Sequence, residues 1–240
     1  MHLNKTLVTG ISSGLGKYIH ENTKDSIGVN RDNSEKIVRD HKDDFFETII
    51  HCAFNSSSDV SDYKSYVEDN VFFTAKLADI KCRKFIYISS VNVYSEEDNY
   101  YSLSKRIGEY IVKSRQPDSH LIIRCSAILG PTIRPNSLVK ILKHKAPKLT
   151  LSGDSTFNYV LQKDILKFIK HSDEASLFGT LDFTSESDVD LKYVAEKYNK
   201  ETIFGEYKYE TPRSNTVKVY QVSRQFKKSS KDIIEEYIND

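Results

Sequence analysis

No apolar run in this chain of 240 residues reaches the roughly 18 residues that a membrane-crossing helix needs. Neither sign of charge is in excess. The chain has 35 Lys and Arg against 34 Asp and Glu, a net charge of +1, so nothing general draws it to nucleic acid or to an anionic membrane. Cysteine is scarce: Cys52, Cys82 and Cys125 have no close pairing in sequence, and two of them lie in apolar, strand-like runs. They are expected as buried free thiols of a reducing compartment. The histidines are scattered, and none has Cys or acidic partners at ligand spacing, so no metal site is expected. Repeats and low-complexity tracts are absent; Asn55-Ser56-Ser57-Ser58 reads as a short polar loop. No signal peptide stands ahead of the first strand, which makes the cytoplasm the expected location.

What is present is a core in short pieces. Hydrophobic residues make up 38% of the chain and the mean hydropathy is −0.51, so apolar side chains must be concentrated in brief runs. The length suits one large domain, or a domain with a small lobe. Leu3–Thr9 reads as a buried first strand. Ser26–Asn30 reads as a second, Lys36–Arg39 as a third and Thr48–Ala53 as a fourth. A long helix is expected from Ser61 to about Lys81, from the helical spacing of Val67, Val71, Phe72, Ala75, Leu77 and Ala78. A strand over Lys84–Ser89 follows, then a loop through Val93-Tyr94, a helix carrying Tyr101 and Lys105, and a strand over Leu121–Cys125 closed by Leu129-Gly130-Pro131. This alternation predicts an α/β fold, a Rossmann-type doubly wound parallel sheet with right-handed crossovers. Beyond Pro131 the pattern loosens. Helices are expected over Pro135–His144, from a cap at Asp164 to His171, over Asp190–Tyr198 and over Lys231–Tyr237, with a last core strand at Thr180–Thr184 and a further strand at Thr216–Val222. The expected division is a dinucleotide-binding core over residues 1–130. Residues 131–240 would supply the last core strand and a small C-terminal substrate lobe at the sheet's carboxyl edge, where ligands bind in such folds.

Two stretches carry chemistry. The first is Gly10-Ile11-Ser12-Ser13-Gly14-Leu15-Gly16, set between a strand and a helix as a dinucleotide fingerprint must be. Gly10 allows the tight turn, Gly14 lets backbone approach a pyrophosphate, and Gly16 lets helix and strand pack closely. Ser12 and Ser13 stand at a helix N-terminus that offers N–H groups to phosphate. After the second strand come Asn30 and Arg31. Asp or Glu there meets ribose hydroxyls and a basic residue meets a 2′-phosphate. Arg31 therefore favours NADP over NAD, although Asp32 beside it weakens the signal and a solvated loop charge is the bland reading. The second stretch is Tyr101-Ser102-Leu103-Ser104-Lys105, downstream of a strand that ends in Ser89-Ser90. A Tyr and a Lys one helical turn apart share a face, and a serine at a neighbouring strand end completes a Ser–Tyr–Lys site. Tyrosine moves a proton at a carbonyl or hydroxyl carbon, the lysine ammonium lowers its pKa by favouring phenolate, and serine holds the reacting oxygen. The spacing alone is weak, since it recurs at Tyr159/Lys163 and Tyr193/Lys197; the preceding strand and glycine loop give it weight.

With these residues placed, the chain resembles the short-chain dehydrogenase/reductase superfamily, and most closely its extended branch of nucleotide-sugar epimerases, dehydratases and ketoreductases. The matching residues are Thr9-Gly10 with Gly14 and Gly16, Asp40, Ile50-His51-Cys52-Ala53, Asn70-Val71 with Thr74, Ile88-Ser89-Ser90, Val93-Tyr94, Tyr101 with Lys105, Arg124, Gly130-Pro131 and Asp164. The resemblance implies Ser90 as catalytic serine with Ser89 beside it, Tyr101 as acid/base, and Lys105 as the binder of the nicotinamide ribose that tunes Tyr101. It sets Asp40 near the adenine, Ala53 along the cofactor and Asn70 in support. It implies an NADP- or NAD-dependent oxidoreductase or epimerase acting on a nucleotide sugar, feeding polysaccharide biosynthesis or another glycan pathway. It also implies a homodimer paired through the helices at about Ser61–Lys81 and Tyr101–Ser114. Departures narrow this. Ser90 and Tyr101 are only eleven positions apart, shorter than is usual in the branch. Val91 and Asn92 stand where dehydratases carry an acidic pair, so dehydration is not expected. Ala127 replaces the asparagine that many epimerases place before the Gly-Pro turn. A reductase of a smaller carbonyl compound, or a silent dinucleotide-binding regulator, are the rival readings. Arg134, Arg213 and the basic run Arg224-Gln225-Phe226-Lys227-Lys228 are guesses for gripping a substrate diphosphate, with a solvated loop the bland reading of the run.

Overall fold

The structure, a computed structural model, describes residues 2–55, 62–95, 99–213 and 216–240. Ser61 and Ser56–Ser58, which fall within sequence-based expectations, lie outside the described residues. Strand β1 (His2–Thr9) runs into the glycine loop and helix α1 (Gly14–Glu21), followed by β2 (Ile27–Val29), α2 (Ser34–His41) and β3 (Phe45–His51). One continuous helical rod then covers residues 63–78. It comprises α3 (Tyr63–Tyr66), a wide π-helical turn (Val67–Phe72) and α4 (Phe73–Ala78). Next come β4 (Lys81–Ser90), a 3₁₀ turn (Val91–Tyr94), α5 (Tyr100–Arg115) and β5 (His120–Cys125). The remainder comprises β6 (Ala127–Leu129), α6 (Ser137–Lys143), β7 (Thr156–Phe157), β8 (Tyr159–Leu161), α7 (Gln162–Glu174), β9 (Gly179–Phe183), β10 (Val189–Asp190), α8 (Leu191–Lys197), α9 (Val219–Val222) and α10 (Ser230–Asn239).

Six strands form one parallel sheet in the order β2-β1-β3-β4-β5-β9. Successive side chains of a strand point to opposite faces, and here both faces are covered. Val8, Ile50, Ile86 and Ile123 point to one side, under Leu15 and Ile19 of α1 and Ile165, Phe168 and Ile169 of α7. Leu7, Ile49, Phe85 and Ile122 point to the other, under Leu77 of α4 and Val112 of α5. Strands buried on both faces are what a doubly wound sheet requires, and they explain the short unbroken apolar runs. A third cluster, including Leu138, Ile141, Tyr159, Leu191, Val194 and Ile233, builds the region beyond Leu129. Two small sheets, antiparallel β7-β10 and parallel β6-β8, belong to that region. Among the described residues no helix is long and apolar enough to cross a membrane.

Three expected elements are corrected. The segment read as a third strand, Lys36–Arg39, is part of α2. β2 and β3 pair with opposite edges of β1. The chain must therefore cross β1 between them, and a parallel crossover takes a helix. The charges suit one, with Glu35 in the first turn and Arg39 and His41 in the last. Thr216–Val222 makes a single bridge, Lys218 to Asp182, and then turns helical because the Lys218 N–H is taken by Gln221 Oε1 at 2.7 Å. Asp164 lies in the first turn of α7, whose cap position is Leu161; its carboxylate accepts from Lys228 Nζ at 2.8 Å. All three cysteines are free; Cys82 and Cys125 are buried and Cys52 is half-buried.

The carboxyl edge of the sheet is fastened at His51. Thr9 Oγ accepts from Cys52 N (3.1 Å) and Ala53 N (2.9 Å), so its own proton goes to His51 Nδ1 at 2.8 Å. Thr74 Oγ donates to Asn70 O (2.6 Å), so it accepts from His51 Nε2 at 2.9 Å. This arrangement needs neutral imidazole with its proton on Nε2. Burial first, and the Lys105 ammonium second, depress the His51 pKa to about 3.

Two outcomes follow from the packing. Ile86 is 1% exposed at the centre of the sheet, so Ile86→Ala should cost roughly 2–5 kcal/mol in urea unfolding. The unfolded chain protonates His51 below about pH 6.5, while the folded chain resists until about 3. The stability held by neutral His51 is therefore complete above 6.5 and lost as pH falls. The pH slope of unfolding free energy between 6 and 4 should be steeper in the wild type than in His51→Gln, by up to about 1.4 kcal/mol per pH unit. Parallel slopes would remove His51 from the account.

Candidate active site

Helix α5 starts at a capping box. Asn99 Oδ1 accepts from Ser102 N at 2.9 Å, and Ser102 Oγ accepts from Asn99 N at 3.4 Å. This fixes the first turn, so Tyr101 and Lys105 project together over the end of β4. The Ser90 hydroxyl accepts from Asn92 N at 3.2 Å and faces the same cavity as Tyr101, near enough to act on its titration. Ser89 points the other way, as alternation on a strand demands, and donates to the buried Glu109 at 2.6 Å. Glu109 is in turn gripped by both ends of the Arg124 guanidinium, at 2.8 and 2.6 Å. Arg124 reaches Tyr94, and Tyr94 donates to Asp182 at 2.8 Å. This ladder of α5, β5 and β9 braces the strand end that presents Ser90.

Lys105 is 4% exposed. Its Nζ donates to Ile88 O at 2.8 Å and sits over the rings of Phe54 (4.5 Å) and Tyr87 (4.9 Å). Burial lowers its pKa to about 8; the Cys52 and Cys125 thiols and Glu109 act in the opposite sense. Burial raises the Tyr101 pKa, with the Ser90 hydroxyl opposing. The expected lowering of Tyr101 by Lys105 is not what the structure shows: Lys105 is not among the groups that shift it, and the desolvation of a buried phenolate dominates.

Ser90, Tyr101 and Lys105 line a cavity of about 610 Å³ together with Leu15, Cys52, Phe54, Asn92, Cys125, Arg134, Asn136, Phe157, Tyr209 and Thr211. A second cleft of about 480 Å³ shares Cys52, Phe54 and Arg134 with it. Its walls hold Gly10, Ser12, Ser13, Asn30, Arg31 and Ala53. The glycine loop is built for close approach. Gly10 and Gly14 have positive φ, and a Cβ on Gly10 would stand 2.9 Å from Ala53 Cα. A Cβ on Gly16 would meet Thr9 O at 2.4 Å, so Gly16 serves the packing of α1 on β1, while space beside Gly14 is open. Ser13, the cap residue of α1, makes no side-chain cap hydrogen bond. The Gly14 N–H is taken by Thr132 O at 2.8 Å; the glycine turn, the following N–H groups of α1 and the adjoining clefts fit a dinucleotide with its pyrophosphate at α1.

Other expected residues are placed differently. Asp40 lies on α2 beside Arg39, away from the cleft wall, because the strand it was to follow is a helix. Asn70 does not line the cleft. It is buried and clamps Asn55 by both backbone groups, at 2.7 and 3.1 Å. Asn30 Oδ1 accepts from Asp32 N and Asn33 N, holding its own turn. Arg213 is exposed near Asp188, and the basic run lies outside both clefts, its Phe226 packed on Phe168 and Phe183. Sequence reading missed Phe54, Phe157, Asn136, Tyr209 and Thr211. Tyr209 Oη donates to Asn92 at 3.0 Å and its ring stacks on Phe157 at 4.6 Å; no local pattern marks a residue brought there by bridges between distant loops.

A model of the NAD dependent epimerase/dehydratase family matches residues 6–171. No curated protein sequence matches the chain. Solved structures do. A dTDP-4-dehydrorhamnose reductase from Yersinia enterocolitica aligns with a TM-score of 0.76 at 20% identity, over 98% of this chain and 99% of that one. A UDP-glucuronic acid 4-epimerase from Bacillus cereus, in complex with UDP-glucuronic acid and NAD, aligns at 0.72 and 17%, over 97% and 98%. A dTDP-4-dehydrorhamnose reductase from Bacillus anthracis in complex with NADP aligns at 0.71 and 17%, over 99% and 98%. At these identities the likeness is one of fold. The match over residues 6–171, on a six-stranded parallel sheet with a glycine loop at its first crossover, places the chain in the NAD dependent epimerase/dehydratase family.

Proposed function

We propose that the protein is a nicotinamide-dependent oxidoreductase or epimerase acting on a nucleotide-activated sugar, in the service of a glycan pathway. The observation that carries this reading is the gathering of Ser90, Tyr101 and buried Lys105 on one cavity that adjoins the glycine-loop cleft. Residues 1–130 take the dinucleotide and 131–240 the sugar nucleotide. Gly10, Ser12, Ser13, Gly14, Leu15, Gly16 and Ala53 shape the dinucleotide cleft, and Asn70 holds its floor through Asn55. The nicotinamide, when bound, supplies or accepts the hydride. Tyr101 gives or takes the matching proton at the sugar oxygen, and Ser90 hydrogen-bonds that oxygen. Lys105 holds the nicotinamide ribose, and its ammonium favours the phenolate once the two meet. Arg31 at the end of β2 is the feature that favours NADP, with NAD the second choice. The relatives that bind UDP-glucuronic acid with NAD, or NADP alone, are in keeping with this class of substrate and cofactor.

The protein pairs as a homodimer through the rod at 63–78 and α5. These two helices pack side by side. They leave Tyr63, Val67, Phe72, Tyr100, Leu103, Ile107 and Tyr110 exposed, the last by 75%, an apolar set that a second copy would cover.

General acid–base catalysis contributes about 10²–10⁴-fold. Tyr101→Phe should lose at least a hundredfold in turnover of UDP- or dTDP-hexoses while NADPH or NADH still binds; unchanged turnover would sink the assignment. Light scattering should give a dimer for the wild type and a monomer for the double variant Leu103→Asp, Tyr110→Asp. A wild-type monomer at working concentration would end the pairing proposal.

A further inference from the structure

The guanidinium that a 2′-phosphate would need already has a carboxylate partner at one nitrogen. Arg31 Nη2 donates to Asp69 Oδ2 at 2.7 Å, and both residues line the cleft beside the glycine loop. The two partners are unequally held. The Arg31 side chain is 75% exposed and the Asp69 side chain 30%. Asp69 Oδ2 also accepts from Asn55 Nδ2 at 2.9 Å, and Asn55 is itself clamped by the buried Asn70. Asp69 and Asn70 lie in the wide turn Val67–Phe72, an irregularity of the kind often found at functional sites. Asp69 therefore stands on a built frame, and Arg31 comes to it. Asn30, the other residue at the end of β2, spends its side chain on the turn that projects Arg31.

We infer that Asp69 is the residue that selects between the two dinucleotides, by holding Arg31 and presenting a carboxylate where the adenosine 2′-position lies. The inference rests on the dinucleotide reading of the cleft. A 2′-hydroxyl donates to Asp69 and leaves the Arg31 pair intact. A 2′-phosphate that takes the remaining N–H groups of Arg31 meets the Asp69 carboxylate across the same guanidinium as a like charge. The carboxylates of Glu35 and Glu68 line the same cleft, as do the cations of Lys76 and Arg134, so the selecting contact is the local one at Arg31 rather than the cleft's overall charge. An exposed ion pair has little strength of its own. The discrimination comes from the like charge that the Asp69 carboxylate sets against a 2′-phosphate at Arg31. Asp69 thereby opposes the preference that Arg31 alone would set.

Fluorescence titration of the purified full chain with NADH and NADPH tests this. The wild type should show at most a small preference for NADPH over NADH. Asp69→Asn keeps the shape and an acceptor for Asn55. It should shift the ratio of dissociation constants toward NADPH by about tenfold or more, the scale of one like-charge contact near a protein surface. Adding Arg31→Ala to Asp69→Asn should cancel the gain, because the freed guanidinium is its source. A ratio that moves less than twofold in Asp69→Asn while both dinucleotides still bind overturns the inference and leaves the dinucleotide reading standing. Binding of neither dinucleotide to the wild type overturns both.

Discussion

The hydroxyl of Thr9 holds the carboxyl edge of this sheet together. It accepts two backbone N–H groups from Cys52 and Ala53 and donates to His51, so β1 and β3 end in register and the glycine loop packs on Ala53. Through His51 the same network reaches Thr74 on the rod at 63–78, and from there the carbonyl of Asn70. A parallel sheet covered on both faces leaves only its strand ends open to ligands. Whatever fixes those ends fixes the clefts. A neutral imidazole suits the place because it can accept from one hydroxyl and donate to the other without carrying a charge into the core.

Burial dominates the electrostatics around Tyr101. The desolvation that lowers Lys105 to about 8 also raises Tyr101 and the thiols of Cys52 and Cys125. Lys105 is satisfied by the Ile88 carbonyl and two ring faces. The bracing underneath is of another kind. Glu109 and Arg124 form a charge-assisted fork that ties α5 to β5 and, through Tyr94 and Asp182, to β9. A buried ion pair gives weak evidence of stability. Its geometric consequence here is definite: it receives the Ser89 hydroxyl that strand alternation turns to the other face, and Ser90 is left as the serine on the Tyr101 side.

Much of the site was legible because it is local. A strand, a glycine turn and a helix start are consecutive in the chain. Tyr101 and Lys105 share a face because they are one turn apart, with Asn99 and Ser102 fixing where that turn begins. The third strand was misread because Ile37 and Val38 alone look apolar in either state. What decides the matter is that the chain must cross β1 between β2 and β3, a condition set by sheet order and not by residues 36–39. Asp40 lost its expected place with that strand. The alternation of Thr216–Val222 misled for a related reason: β9 offers it one bridge and no ladder.

The sequence by itself determined the kind of fold and the three residues gathered at Ser90, because short apolar runs, glycines and helical spacing act over a few neighbouring positions. Tertiary structure alone decided what those residues meet. Phe54 reaches Lys105, Tyr209 reaches Asn92 from 117 positions away, and Asp69 reaches Arg31 across 38. Such contacts join strand ends and loops that only the order of the sheet brings together, and no periodicity in the chain records them.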